Sequence, residues 1–223
     1  MIPWEHLDTA EVPGGGELKL SRRGAEYSIM AGTIELMNSR LSGSEEALAS
    51  LAQERIADRP EAHVLVGGLG MGFTLRAALA IAGPKVRVTV SELVPAVVEW
   101  ARGPMAELFA GCLDDPRVSI AHGDIGEQVA ARQGAFDAIL LDVDNGPEGL
   151  TRRENDRLYD VKGLAQTYAA LRPGGVLAVW SSAPDSRFTT RLQRTGFAVE
   201  EVKVRARQKK RGARHVIWLA TRS

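Results

Sequence analysis

Cysteine is nearly missing: Cys112 is the only one in 223 residues. An intramolecular disulfide is thereby excluded, which fits a reducing cytoplasm as the expected location. Histidine is almost as scarce. His6, His63, His122 and His215 are scattered without ligand spacing, so no metal site is expected. Neither sign of charge is in excess, because 28 basic and 28 acidic residues cancel to +0. No global field then draws the chain to a membrane or a nucleic acid. No apolar run approaches the roughly 20 residues of a membrane span. The first residues, MIPWEHLDTAEV, read as too polar for a signal peptide. Internal repeats and low-complexity segments are absent as well.

What is present is an ordinary globular composition, 44% hydrophobic and 25% charged, enough to bury one core. The most informative stretch is His63-Val64-Leu65-Val66-Gly67-Gly68-Leu69-Gly70-Met71-Gly72. An apolar run passes directly into Gly-x-Gly-x-Gly, and a helical pattern follows from Phe73 to Ile81. A buried strand turning tightly into a helix needs glycine for the turn, for ligand approach and for helix packing. Glycine turns are common, so the run gains weight from Glu92, which closes a second apolar run, Val86 to Val90, twenty residues past Gly72. A carboxylate at that spacing accepts the hydroxyls of a ribose. Together these features point to an α/β domain that binds an adenosine-containing ligand.

The chain divides near Pro60. Residues 1–60 read as a small β-hairpin and helix appendage, with strands over 17–22, 27–30 and 33–37 and a helix capped by Ser44 with Glu45 and Glu46 in its first turn. Residues 61–223 alternate strand and helix. Strands are predicted at 63–68, 86–92, 117–122, 136–142, 175–181, 197–206 and 213–221. Helices are predicted near 71–82, 94–109, 125–132, 160–171 and 185–195. The fold expected is α/β: a Rossmann-like, doubly wound, mostly parallel seven-stranded sheet ending in an antiparallel hairpin. Nicotinamide-binding sheets are usually parallel throughout, so this ending favours S-adenosylmethionine over a dinucleotide.

Ligands of open parallel sheets sit at the carboxyl ends of the strands, where strand order reverses. The candidates there are Gly67, Gly68, Gly70 and Gly72 from the first strand and Glu92 with Leu93 from the second. The third gives Asp124 with Ile125, for an adenine ring, and the fourth gives Asp142 and Asp144. Each acid has a structural alternative: Glu92 as a solvated acid or the cap of the next helix, Asp124 as a helix cap, Asp144 as the start of a turn with Asn145. Asp142 follows four apolar residues, so it must be paired or wetted by a cleft. The polar segment 144–160 reads as a lid over the acceptor, and Tyr159 either lines the pocket or staples that lid. The segment 203–215 carries seven basic residues and no acid. It is a solvated hairpin tip or a contact for phosphate or RNA.

Read in order, GG-x-G-x-G, Glu92, Asp115-Pro116-Arg117-Val118, Gly123-Asp124, Phe136 to Asp142, Gly146-Pro147, Leu158-Tyr159 and Leu171 to Val176 resemble the spermidine synthase-like family of S-adenosylmethionine-dependent transferases. The resemblance covers residues 60–182 closely and 16–60 loosely. It implies binding of S-adenosylmethionine, its decarboxylated form or methylthioadenosine, with Glu92 at the ribose, Asp124 at the adenine and Asp142 near the sulfur. The family's glycine-loop acid is absent here. Asn145 stands where its second catalytic aspartate is expected, and Trp180 where a glutamine is expected. The expected function is therefore group transfer to a small-molecule acceptor, methyl transfer first, with Asp142, Asp144 and Tyr159 as catalytic candidates. Aminopropyl transfer in polyamine synthesis comes second, and non-catalytic nucleoside or RNA binding third. A homodimer without membrane attachment is the expected form.

Overall fold

The computed structural model describes residues 2–40, 42–143, 147, 156–205 and 214–223. Four antiparallel strands come first, β1 (Glu5–Glu11), β2 (Glu17–Arg23), β3 (Glu26–Ala31) and β4 (Ile34–Asn38), paired in that order. The sequence reading missed β1. Its residues, EHLDTAE, bury only Ala10 and show no apolar alternation, as befits an exposed edge strand.

Helix α1 (Gly43–Arg55) has its N-cap at Ser42, two residues before the expected Ser44. Ser44 lies inside the first turn and is almost wholly buried. Leu48, Ala49 and Ala52 give α1 its apolar face, which packs against α2 (Phe73–Ile81) and the larger sheet.

That larger sheet contains β5 (His63–Gly67), β6 (Arg87–Glu92), β7 (Val118–His122), β8 (Phe136–Leu141), β9 (Leu171–Ser181), β10 (Phe197–Arg205) and β11 (Arg214–Arg222). Its order is β10-β11-β9-β8-β5-β6-β7. Strands β5 to β9 run parallel, and β11 is antiparallel to both β9 and β10. Strand β8, FDAILL, is buried throughout, as a strand covered on both faces must be. The remaining helices are α3 (Pro95–Arg102), α4 (Ala106–Phe109), α5 (Ile125–Ala130), α6 (Asp156–Tyr159), α7 (Val161–Ala170) and α8 (Ser186–Thr195). The single helix expected over 94–109 is broken between Gly103 and Met105, because Pro104 cannot continue it. The doubly wound sheet with its terminal hairpin is the architecture that the alternating pattern implies.

Alternate residues of the central strands feed opposite cores. Val64, Val66, Ala138 and Leu140 face α1 and α2, while Leu65, Ile139 and Leu141 face α5, α7 and α8. The small sheet joins the first of these cores through Leu18, Leu20 and Ile29. Two hydrogen bonds fasten it to the α3 region: Trp100 Nε1 donates to Asp8 Oδ2 at 2.6 Å, and Tyr27 Oη to the Pro104 carbonyl at 2.6 Å. Among the described residues no helix is long and apolar enough to cross a membrane.

Candidate functional site

Strand order reverses between β5 and β8, so the loops leaving their carboxyl ends diverge and open a cleft. A cavity of about 360 Å³ occupies that cleft. It is bounded on one side by the carboxyl ends of β5, β6, β7 and β8, and on the other by the small N-terminal sheet. The volume is within the common range of roughly 300–1,000 Å³ for small-molecule sites.

The glycine loop forms the floor. Gly70 has φ +50°, and a Cβ there would stand 2.7 Å from Met37 Sδ. Met37, on β4, also accepts a hydrogen bond from Met71 N at 3.1 Å, so the small sheet sits directly on the loop. Gly68 and Gly70 line the cavity. Gly67 and Gly72, grouped with them from the sequence, are not among its lining residues. A Cβ on Gly67 would press on Ile125 and Leu141, and one on Gly72 would overlap the Phe109 ring at 2.5 Å. The smallness of Gly67 lets α5 pack against the sheet, and that of Gly72 makes room for Phe109 of α4.

Glu92, at the end of β6, is 6% exposed and lines the cavity. Its Oε2 accepts from Leu69 N and its Oε1 from Val94 N, both at 2.8 Å. A carboxylate offers about four lone-pair sites, so acceptor capacity is left for the cavity. Burial raises its pKa against the opposing pull of the backbone N–H donors. Leu93 lies beside it on the lining. Asp124 caps α5, accepting from Gly126 N at 2.7 Å, and also faces the cavity with Ile125. The capping role weighed from sequence is therefore present, on a residue that still borders the cleft. Beside it, Gly123 has nothing within 4 Å of its missing Cβ.

Asp142 follows β8 immediately and accepts from Thr74 Oγ1 on α2 at 2.7 Å. Its pKa is pushed up to about 7, first by burial and then by the charge of Glu45, with the Thr74 bond opposing. At neutral pH it can both give and take a proton. Asp144 and most of the expected lid lie outside the described residues, as does the tip of the basic hairpin. Tyr159 is not on the cavity wall. Its ring is buried in the second core, edge-on to Phe188 at 5.7 Å, with its hydroxyl 3.5 Å from the Val143 carbonyl. Of the two places weighed from the sequence, the pocket is not the one it takes: with Leu158, its ring seats α6 in the second core.

Several lining residues escaped the sequence reading. Glu45, from the first turn of α1, faces the cavity. Ser44 Oγ donates to its Oε2 at 2.7 Å, and the same Oγ lies 3.0 Å from His215 Nδ1. Leu18, Ile29, Leu36 and Met37 form the apolar wall. The alternation in β2 and β3 signals their burial, but not that they would face a ligand. Trp180, which stands where a glutamine is expected from the sequence, also lines the cavity from near the end of β9, its ring edge-on to His215 at 4.7 Å. Among the described residues no group of acids, histidines and cysteine is placed to hold a metal.

The residues present have the chemistry to fit a nucleoside: a buried carboxylate with acceptor capacity left, a second acid beside open space, a glycine floor and an apolar wall. The sequence model of the spermine/spermidine synthase domain matches residues 43–190. The polyamine aminopropyltransferase of Mycobacterium tuberculosis is 31% identical over 159 residues, covering 67% of this chain. The chain spans only 29% of that relative's length. In fold it is similar to the crystal structure of spermidine synthase from Thermotoga maritima, with TM-score 0.76 and 19% identity over 98% of this chain and 73% of that one. It is also similar to the precorrin-6y C5,15-methyltransferase of Geobacter metallireducens, with TM-score 0.57 and 15% identity over 78% of this chain and 87% of that one.

Proposed function

This chain belongs to the spermine/spermidine synthase family, and from that premise we propose that it transfers an aminopropyl group from decarboxylated S-adenosylmethionine to a small amine. The relatives' names favour this reaction over methyl transfer, which the residues alone had placed first. The observation that carries the reading is Asp142, a carboxylate with a pKa of about 7 in the same cavity as Glu92 and Asp124. An amine acceptor must lose a proton to attack, and a base poised near neutrality contributes about 10²–10⁴-fold.

In this reading Glu92 takes the ribose hydroxyls, while Asp124 and Ile125 border the adenine. The donor's sulfonium makes the attached propyl carbon electrophilic. Asp142 accepts a proton from the acceptor ammonium, and the freed lone pair forms a new C–N bond as the C–S bond breaks. Methylthioadenosine leaves with the sulfur electron pair, the new nitrogen stays protonated as a secondary ammonium, and Asp142 passes the one released proton to solvent. Most of the rate comes from placing nitrogen, carbon and sulfur in line within a closed cavity.

Methyl transfer is kept as the second reading for one reason: Met37 packs on the acid-free glycine loop, where a donor whose ammonium is no longer offset by a carboxylate would need an acidic partner. The two readings differ in product. Incubation with both donors and a mixture of amines is expected to release methylthioadenosine. Release of S-adenosylhomocysteine alone would establish methyl transfer instead.

A further inference from the structure

Five acids border the cavity: Glu17, Glu45, Glu92, Asp124 and Asp142. Three of them have other work. Glu17 pairs with Lys19 at 2.7 Å and is half exposed, while Glu92 and Asp124 hold backbone N–H groups. Glu45 and Asp142, one from the first turn of α1 and one from the end of β8, each accept a side-chain hydroxyl, from Ser44 and Thr74, and keep acceptor capacity for the cavity. Two half-buried carboxylates lining one cavity repel each other, and the charge of Glu45 is indeed the second cause of the raised Asp142 pKa. Burial likewise makes Glu45 harder to ionise. A cation between them relieves both penalties at once.

Glu45 is also held in position. Ser44 donates to it from within the helix, and His215 of β11 holds Ser44 in turn. This ties the carboxylate to a rigid junction of helix and sheet. Across the cavity the small sheet offers the apolar groups Leu18, Ile29, Leu36 and Met37, and its one acid on the lining, Glu17, is already paired with Lys19.

We propose that Glu45 and Asp142 together grip one ammonium group, and that the apolar wall selects an acceptor with a single primary amine on an apolar body, in preference to an extended polycation. The proposal rests on the reading of the cavity as a nucleoside-plus-amine site. It makes Glu45 a residue that determines specificity, separate from the nucleoside-binding set.

Calorimetry tests it without turnover. Butylamine, putrescine, spermidine and the uncharged control butanol are titrated into the protein, with and without saturating methylthioadenosine. Butylamine is expected to bind more tightly than spermidine. Glu45→Gln, which still accepts the Ser44 hydrogen bond, is expected to weaken butylamine about ten- to a hundredfold, the worth of one hydrogen bond to a charged group. Butanol and methylthioadenosine should be unaffected. Tighter binding of spermidine than of butylamine, or equal butylamine affinity in Glu45→Gln, overturns the proposal. Failure of methylthioadenosine to bind would count against the nucleoside reading alone, because the nucleoside-free titrations still judge the amine subsite.

Discussion

Replacing Glu92 by Ala removes the proposed ribose acceptor together with the acceptors of two backbone N–H groups. Nucleoside affinity should fall about ten- to a hundredfold, and the orphaned N–H groups of Leu69 and Val94 should each cost about 1–3 kcal/mol of stability. Methylthioadenosine titration and urea denaturation read the two effects separately. Full affinity in a folded Glu92→Ala variant would move the site elsewhere. Asp142 gives a pH signature. Its pKa is raised in the folded state, so the folded chain holds an extra proton between the ordinary carboxylate range and about 7. Its contribution to stability is complete below its unfolded pKa and is lost as pH rises through about 7. Asp142→Asn should therefore gain stability relative to the unaltered protein above pH 7, and not near pH 4. Parallel curves would show that Asp142 is not so perturbed. At this scale the sequence disclosed the acids that end strands, because strand ends are visible as breaks in apolar runs. Glu45 was hidden, since a first-turn acid of a helix looks like ordinary dipole compensation.

Elements were more legible than their joints. Continuous apolar runs marked β5, β6 and β8, and the Lys/Arg-rich connection between β10 and β11 marked a hairpin. β1 stayed invisible because its pairing to β2 uses backbone groups, with little apolar burial to register in the sequence. The largest surprise at this scale is that the N-terminal sheet supplies one wall of the cavity. Its attachment can be tested at Tyr27, whose hydroxyl donates to the Pro104 carbonyl. Tyr27→Phe should cost about 1 kcal/mol in chemical denaturation. No measurable cost would mean that the sheet is held by apolar packing alone. Gly70→Val should weaken methylthioadenosine binding, because φ +50° disfavours a branched residue and Met37 stands where its Cβ would go. Unchanged binding would contradict the contact between Met37 and the loop.

For the whole molecule, a net charge of +0 leaves association to local features. The basic tip lies outside the described residues, on the connection between β10 and β11, and the cavity is built by other strands. Changing Lys209, Lys210 and Arg211 to Ala should leave methylthioadenosine affinity unaltered. A large loss would bring the tip into the site.

The central claim is that one cavity joins a sulfur nucleoside to an amine deprotonated by Asp142, and the pH dependence of kcat/KM for methylthioadenosine release tests it most directly. With decarboxylated S-adenosylmethionine and a primary amine, kcat/KM should rise through an inflection near 7, the pKa of the free protein's base. In Asp142→Asn that inflection should vanish and the rate fall by about 10²–10⁴-fold. An unchanged profile in Asp142→Asn would contradict the account.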